Sequence, residues 1–179
     1  MRLLLIISLT TVALACKVTN QKPDESSQNV KVEQDEKTFI INKLGDKIDK
    51  VYKSPNEWKT ELSQKEFYIL REKGTERAFT SPLNKNKEDG LYQCAGCNLT
   101  LFTSRTKFDS GTGWPSFYKP DDEAYIKKET DYVLGYPREE VMCARCGGHL
   151  GHVFEDGPEP TGLRYCINGV ALEFIKAEN

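Results

Sequence analysis

Two C-x2-C pairs, Cys94-Ala95-Gly96-Cys97 and Cys143-Ala144-Arg145-Cys146, offer four thiolates. That is the number a closed tetrahedral zinc centre needs. Each pair is followed by a small or turn-forming residue, Asn98 in one case and Gly147-Gly148 in the other, which helps backbone N–H groups approach the sulfurs. About 45 residues separate the pairs, more than the usual zinc-ribbon gap, so a β module must lie between them. Two disulfides or redox-active pairs are the competing readings. A thioredoxin-like pair wants a βαβ setting, which this sequence lacks. Duplicated knuckles among short β segments favour a metal, and four thiolates leave no open coordination position. The expected ion is therefore structural.

A different chemistry is suggested by Arg164-Tyr165-Cys166-Ile167-Asn168-Gly169. On a strand, Arg164, Cys166 and Asn168 share a face, and a guanidinium beside a thiol favours the reactive thiolate. A buried structural cysteine fits this stretch equally well. The only two histidines, His149 and His152, follow the second knuckle. With four thiolates filling a metal site they are free for proton transfer. Zinc ligation, or plain packing and surface roles, are the alternatives.

The elements that must position these groups are short. Ser54-Pro55-Asn56-Glu57 reads as a capping box opening a helix through Trp58 to Leu62. Ser63-Gln64-Lys65-Glu66 repeats the device, and the second helix is expected to stop at Gly74. Beyond residue 80, short apolar stretches alternate with Gly, Pro, Asn and Asp and read as strands, Ala124-Tyr125-Ile126 and Tyr132-Val133-Leu134 among them. The expected fold is mainly β and antiparallel, with helices at its N-terminal side. Twenty-five basic against 27 acidic residues in 179 give a net charge of −2, which argues against a dominant nucleic-acid footprint.

The N-terminal region carries targeting rather than core signals. Met1-Arg2 and the apolar run at residues 3–15 fit a signal peptide and are too short for a membrane span. Ala13-Leu14-Ala15-Cys16 resembles a bacterial lipobox, with Leu one place later than the pattern wants, and also satisfies an ordinary signal-peptidase site. Cys16 is therefore either lipidated or left as a plain thiol after cleavage. Residues 16–37 are polar and read as a disordered tether, leaving 38–179 as the folded domain. Export to a periplasm or cell envelope, with a lipid anchor at Cys16 holding the chain to a membrane, is the expectation.

The whole set of motifs resembles the methionine-R-sulfoxide reductases of the B type. It comprises Glu72-Lys73-Gly74-Thr75-Glu76, both knuckles, the run from Lys107 through Gly113-Trp114-Pro115-Ser116-Phe117, the double-histidine segment and Arg164-Tyr165-Cys166-Ile167-Asn168. The resemblance implies two antiparallel sheets in a β-tent and one structural zinc held by Cys94, Cys97, Cys143 and Cys146. It makes Cys166 the nucleophile that attacks the sulfoxide sulfur and becomes a sulfenic acid. His149 and His152 bind or protonate the sulfoxide oxygen, Trp114 walls in the methyl group, Arg164 supports the thiolate and Asn168 orients the site. The implied substrates are oxidised proteins, and the implied donor is a thioredoxin-like or other thiol reductant. The domain is expected to act as a monomer without nucleic acid. Many members carry a resolving cysteine where this chain has Thr112, so recycling falls to an external thiol. A catalytically silent zinc-binding β module used for protein interaction is the alternative.

Overall fold

The computed structural model describes residues 38–178. The expected signal peptide, the expected tether and Cys16 lie outside the described residues. A small hairpin of β1 (Phe39–Ile41) and β2 (Lys47–Asp49) comes first. Helices α1 (Pro55–Glu61) and α2 (Gln64–Glu72) follow, each opened by the expected capping box. The Ser54 hydroxyl accepts from the Glu57 N–H while the Glu57 carboxylate accepts from the Ser54 N–H, and Ser63 and Glu66 repeat the exchange. Helix α2 ends on Lys73, not Gly74, in the left-handed conformation (φ 56°). The Lys73 ammonium is held by an ion pair described below, which offsets the steric cost of that backbone.

The rest is antiparallel sheet. One sheet has three strands in the order β11 (Leu172–Lys176), β3 (Gly90–Cys94), β4 (Thr100–Thr103). The other has six, in the order β5 (Lys107–Phe108), β6 (Ser116–Phe117), β10 (Arg164–Ile167), β9 (His149–Phe154), β8 (Arg138–Cys143), β7 (Ile126–Asp131). The mainly β expectation with short N-terminal helices therefore holds, with the β1–β2 hairpin added. Two strand expectations shift. Residues 123–125 form a 3-10 turn leading into β7, and Tyr132-Val133-Leu134 forms the tip of the β7–β8 hairpin.

Fully buried aromatic rings from both sheets make the core. Phe102 stacks on Phe117 at 4.3 Å, Tyr92 meets Phe117 edge-on at 5.0 Å, and Tyr165 closes on Phe102 at 5.8 Å. Each such pair adds about 0.5–1.5 kcal/mol beyond the area it buries. Alternation then fixes the opposite face of β10. With Tyr165 and Ile167 committed to the core, Arg164 and Cys166 must point the other way.

Candidate metal centre and active site

Each knuckle is the turn of a hairpin. Cys94–Cys97 joins β3 to β4, and Cys143–Cys146 joins β8 to β9. The turns are built alike. Cys94 N–H donates to Leu99 O (2.8 Å) and Cys143 N–H to Gly148 O (2.9 Å), while Asn98 and Gly147 each return an N–H to the first cysteine's carbonyl at 2.8 Å. Asn98 (φ 60°) and Gly147 (φ 69°) both adopt the left-handed conformation, which Asn and Gly tolerate best.

The four sulfurs lie within 4.8 Å of one another. Cys94 Sγ is 3.7 Å from Cys146 Sγ, and Cys97 Sγ is 3.6 Å from Cys143 Sγ. A disulfide would need about 2.05 Å. A tetrahedron with metal–sulfur bonds of about 2.3 Å has edges of about 3.8 Å, so the donor set fits a four-thiolate metal. Arg145 donates to Cys97 O (2.7 Å) and Arg71 to Cys146 O (2.8 Å). The Arg71 guanidinium stacks on Trp58 at 3.7 Å, and its Nε and Nη2 are buried with no hydrogen-bond partner among the described residues. A cation so placed balances the negative charge of a metal–tetrathiolate cluster.

The second group of predicted residues assembles on the outer face of the six-stranded sheet. Cys166 on β10 lies opposite His152 on β9 and opposite Ser116 on β6. Cys166, His152, Trp114 and Asn168 line one pocket of about 130 Å3, together with Thr75 and Arg138. Pockets that enclose whole small molecules run to about 300–1,000 Å3. This one admits the end of a side chain.

His149 and His152 would face opposite sides of a regular strand. A bulge prevents this, because His149 pairs with Met142 and Gly151 with Val141, leaving Leu150 as an extra residue. Both rings then share a face, with centroids 5.6 Å apart. Gly151 is required there, since a Cβ on it would sit 2.0 Å from the Cys166 carbonyl oxygen. Each ring is held by a carboxylate that also holds a cation. Asp131 Oδ2 meets His152 Nε2 at 2.8 Å and Arg138 Nη2 at 2.5 Å. Glu140 bridges His149 Nδ1 and Lys73 Nζ, both at 2.7 Å. His152 lines the pocket, whereas His149 is buried beside it.

The SelR domain model matches residues 62–176, which take in α2, both large sheets, the metal centre and the pocket. The chain is 55% identical over 126 residues to the peptide methionine sulfoxide reductase MsrB of Leptospira interrogans, covering 70% of this chain and 96% of that one. It is 56% identical over 130 residues to the MsrB of Methanosarcina barkeri, covering 72% and 90% of the two chains. Against the MsrB of Agrobacterium fabrum it is 53% identical over 125 residues, covering 70% and 93%. The chain belongs to the MsrB family.

Within this MsrB chain, the titration of the site groups follows from their surroundings. Burial pushes the His149 imidazole below its usual value against the pull of Glu140, which favours the neutral ring. The Val133 N–H, then His152 and Arg138, hold the Asp131 carboxyl well below the carboxylate range. Cys166 differs from the sequence expectation. Burial raises its thiol above the ordinary value, and Arg164 and Thr112 draw it back only in part. Arg164 is clamped by Asp156 through two bonds of 2.8 Å, so part of its charge is already answered. Thr112 Oγ1 stands 4.0 Å from Cys166 Sγ, and Ser110 links Thr112 to Ser116 through contacts of 2.8 Å.

Sequence reasoning assigns no role to Glu76, which ties the MsrB pocket together. Its N–H donates to Asn168 Oδ1 (2.9 Å) and its carbonyl accepts from Trp114 Nε1 (3.1 Å). Its carboxylate accepts from the Gly169 and Val170 N–H groups at 2.5 and 3.1 Å. Asn168 also donates to Leu150 O at 3.0 Å, so it positions both the Trp114 wall and the histidine strand. The signal for Glu76 is the segment Glu72-Lys73-Gly74-Thr75-Glu76, a motif whose spacing reveals none of these contacts. Glu140, Asp131 and Arg138 carry no signal, because only the folded hairpin brings them to the histidines.

Proposed function

We propose that this chain reduces methionine-R-sulfoxide in oxidised proteins back to methionine, and so repairs oxidative damage. The observation that carries the reading is the grouping of Cys166, His152, Trp114 and Asn168 around one pocket the size of a side-chain tip. The R epimer rests on the likeness of residues 107–117 and 164–168 to the family pattern. The same grouping disfavours a silent binding module, which has no use for a lone half-buried thiol facing a carboxylate-bound histidine.

In this reading the sulfoxide enters with its methyl group against Trp114 and its oxygen toward His152, whose ring Asp131 orients. Cys166 Sγ attacks the sulfoxide sulfur. The S–S bond so formed then breaks as the oxygen passes from the sulfoxide sulfur to Cys166 Sγ, leaving Cys166 as a sulfenic acid and methionine as the thioether. The raised thiol of Cys166 brings its own proton, which can pass to the oxygen as it departs. Two external thiols then reduce the sulfenic acid, forming a disulfide, one water and the restored Cys166. A thioredoxin-like or other external thiol is the donor this calls for, because Thr112 occupies the position of the family's resolving cysteine. Zinc is the ion we assign to Cys94, Cys97, Cys143 and Cys146. It would fix two hairpin turns and take no part in turnover.

Residues 1–37 complete the proposal, with export and a lipid on Cys16 placing the domain on an envelope membrane. The intact mass of the mature protein from its host would read the lipid directly, and an unprocessed N-terminus would overturn it. For the reaction, Cys166→Ser is expected to abolish turnover of R-sulfoxide while keeping the metal content and the thermal transition. Turnover near that of the parent protein would remove Cys166 as the nucleophile. Equal turnover of the S epimer by the parent protein would overturn the stereochemical assignment.

A further inference from the structure

The tip of the β7–β8 hairpin is the wrong composition for a turn. Turn residues are typically Gly, Pro, Asn, Asp or Ser. Here Tyr132, Val133, Leu134 and Tyr136 stand together and are 55–83% exposed. The stem below them is charged, with Lys127 paired to Glu129 and Lys128 to Glu139, so the apolar residues are confined to the tip. Clustered exposed apolar side chains cost solubility and usually mark a contact surface.

The tip is continuous with the pocket. The Val133 N–H donates to Asp131 Oδ1 at 2.7 Å, while Asp131 Oδ2 holds His152 and Arg138. Arg138, at the foot of the returning strand, lines the pocket itself. Beside Trp114 lies another exposed apolar ring, Phe79, 67% accessible and in the left-handed conformation (φ 66°). A backbone so strained in a bulky residue, held by a 2.8 Å bond from its N–H to Gly113 O, keeps that ring against Gly113, the residue that leads into Trp114.

We infer that the β7–β8 tip, with Phe79 on the Trp114 side, is a docking rim for the apolar residues that flank the oxidised methionine in an unfolded polypeptide. The inference rests on the reductase reading and names the substrate class it favours. A pocket that takes only a side-chain end leaves the rest of the substrate lying across its rim, and that rim is apolar. Apolar flanking segments are buried in folded proteins and become available on unfolding. A second copy of the chain is a poorer occupant, because four side chains offer a few hundred Å2 and stable dimers bury about 1,200–2,000 Å2.

The test compares Leu134→Ser/Tyr136→Ser with the parent protein, using dithiothreitol as reductant. One substrate is oxidised β-casein, which is unfolded, and the other is N-acetyl-methionine-R-sulfoxide, which cannot reach the rim. The expected result is about a tenfold loss of kcat/KM on oxidised casein, the effect of losing partial burial of two apolar side chains, with the small substrate unchanged. Equal rates on casein would overturn the rim, as would an equal loss on both substrates. A parent dimer that the substitutions dissociate, seen by sedimentation, would assign the tip to self-association and overturn the inference. A parent protein that turns over neither substrate would overturn the reductase reading and the rim with it.

Discussion

The five cysteines of the described residues occupy two contrasting environments. At one end, Cys94, Cys97, Cys143 and Cys146 sit sulfur to sulfur in hairpin turns, with an arginine on the backbone of each knuckle. At the other, Cys166 stands alone on a strand, half-buried, with hydroxyls and a clamped arginine nearby. In the proposed reading the same side chain serves as scaffold or as reagent according to what can reach the sulfur. In the cluster the thiolates fill one another's surroundings and leave no approach. On β10, neighbours of the wrong chemistry to bind sulfur leave one side of it open to the pocket.

The largest effect expected from breaking this contrast lies at the scaffold end. Cys94→Ser should lose the metal and several kcal/mol of stability, because binding at such sites is coupled to folding. Metal analysis with a thermal melt checks it, and a stable, metal-free, fully active variant would refute the scaffold role. A smaller effect is expected at the reagent end from Arg164→Met. Arg164 draws the Cys166 thiol down and Asp156 acts in the opposite sense, so removing Arg164 should raise that thiol further. At a fixed pH below the thiol's pKa less thiolate is present, and alkylation by iodoacetamide should slow by roughly tenfold for each whole step that the pKa rises. The pH profile of alkylation should move to the alkaline side, and a profile moved to the acid side would refute the argument. The smallest effect on the first turnover is expected from Thr112→Cys. The new thiol would arise where Thr112 Oγ1 now stands 4.0 Å from Cys166 Sγ. After one turnover without reductant this variant should hold an internal disulfide, whereas the parent domain should give a dimedone adduct on Cys166. A disulfide between Cys166 and a knuckle cysteine in the parent domain would erase the distinction between the two ends.

Local features are the legible ones. The knuckles, the capping boxes at Ser54 and Ser63, and the pairing of Cys166 with Arg164 depend on neighbours within a few residues, so spacing alone reveals them. The carboxylates behind the histidines are not legible. Glu140 on β8 reaches His149 only because β9 turns back along β8 with a bulge, Asp131 reaches His152 from the end of β7 one strand further out, and a one-residue slip in register has no local signature. Tyr132-Val133-Leu134 reads wrongly as a strand for a related reason. Apolar β-formers are expected inside sheets, and here they stand exposed on a turn. The acidity of Cys166 is misjudged from sequence because sequence shows the cation two residues away and hides the burial that outweighs it.

A four-cysteine cluster fit for coordination, placed where disulfides could have joined the β3–β4 hairpin of one sheet to the β8–β9 hairpin of the other, has a consequence for a protein proposed to work among thiols. A chain proposed to spend one disulfide's worth of reducing power in every cycle must be bathed in reductant. Covalent S–S cross-links at the same hairpins would be open to the very agent that regenerates Cys166. Thiolates bound to the zinc we propose would give that agent nothing to reduce, and coordination would also keep them from condensing with the oxidised Cys166. The link between the sheets and the recycling of the site would then not draw on the same reducing power.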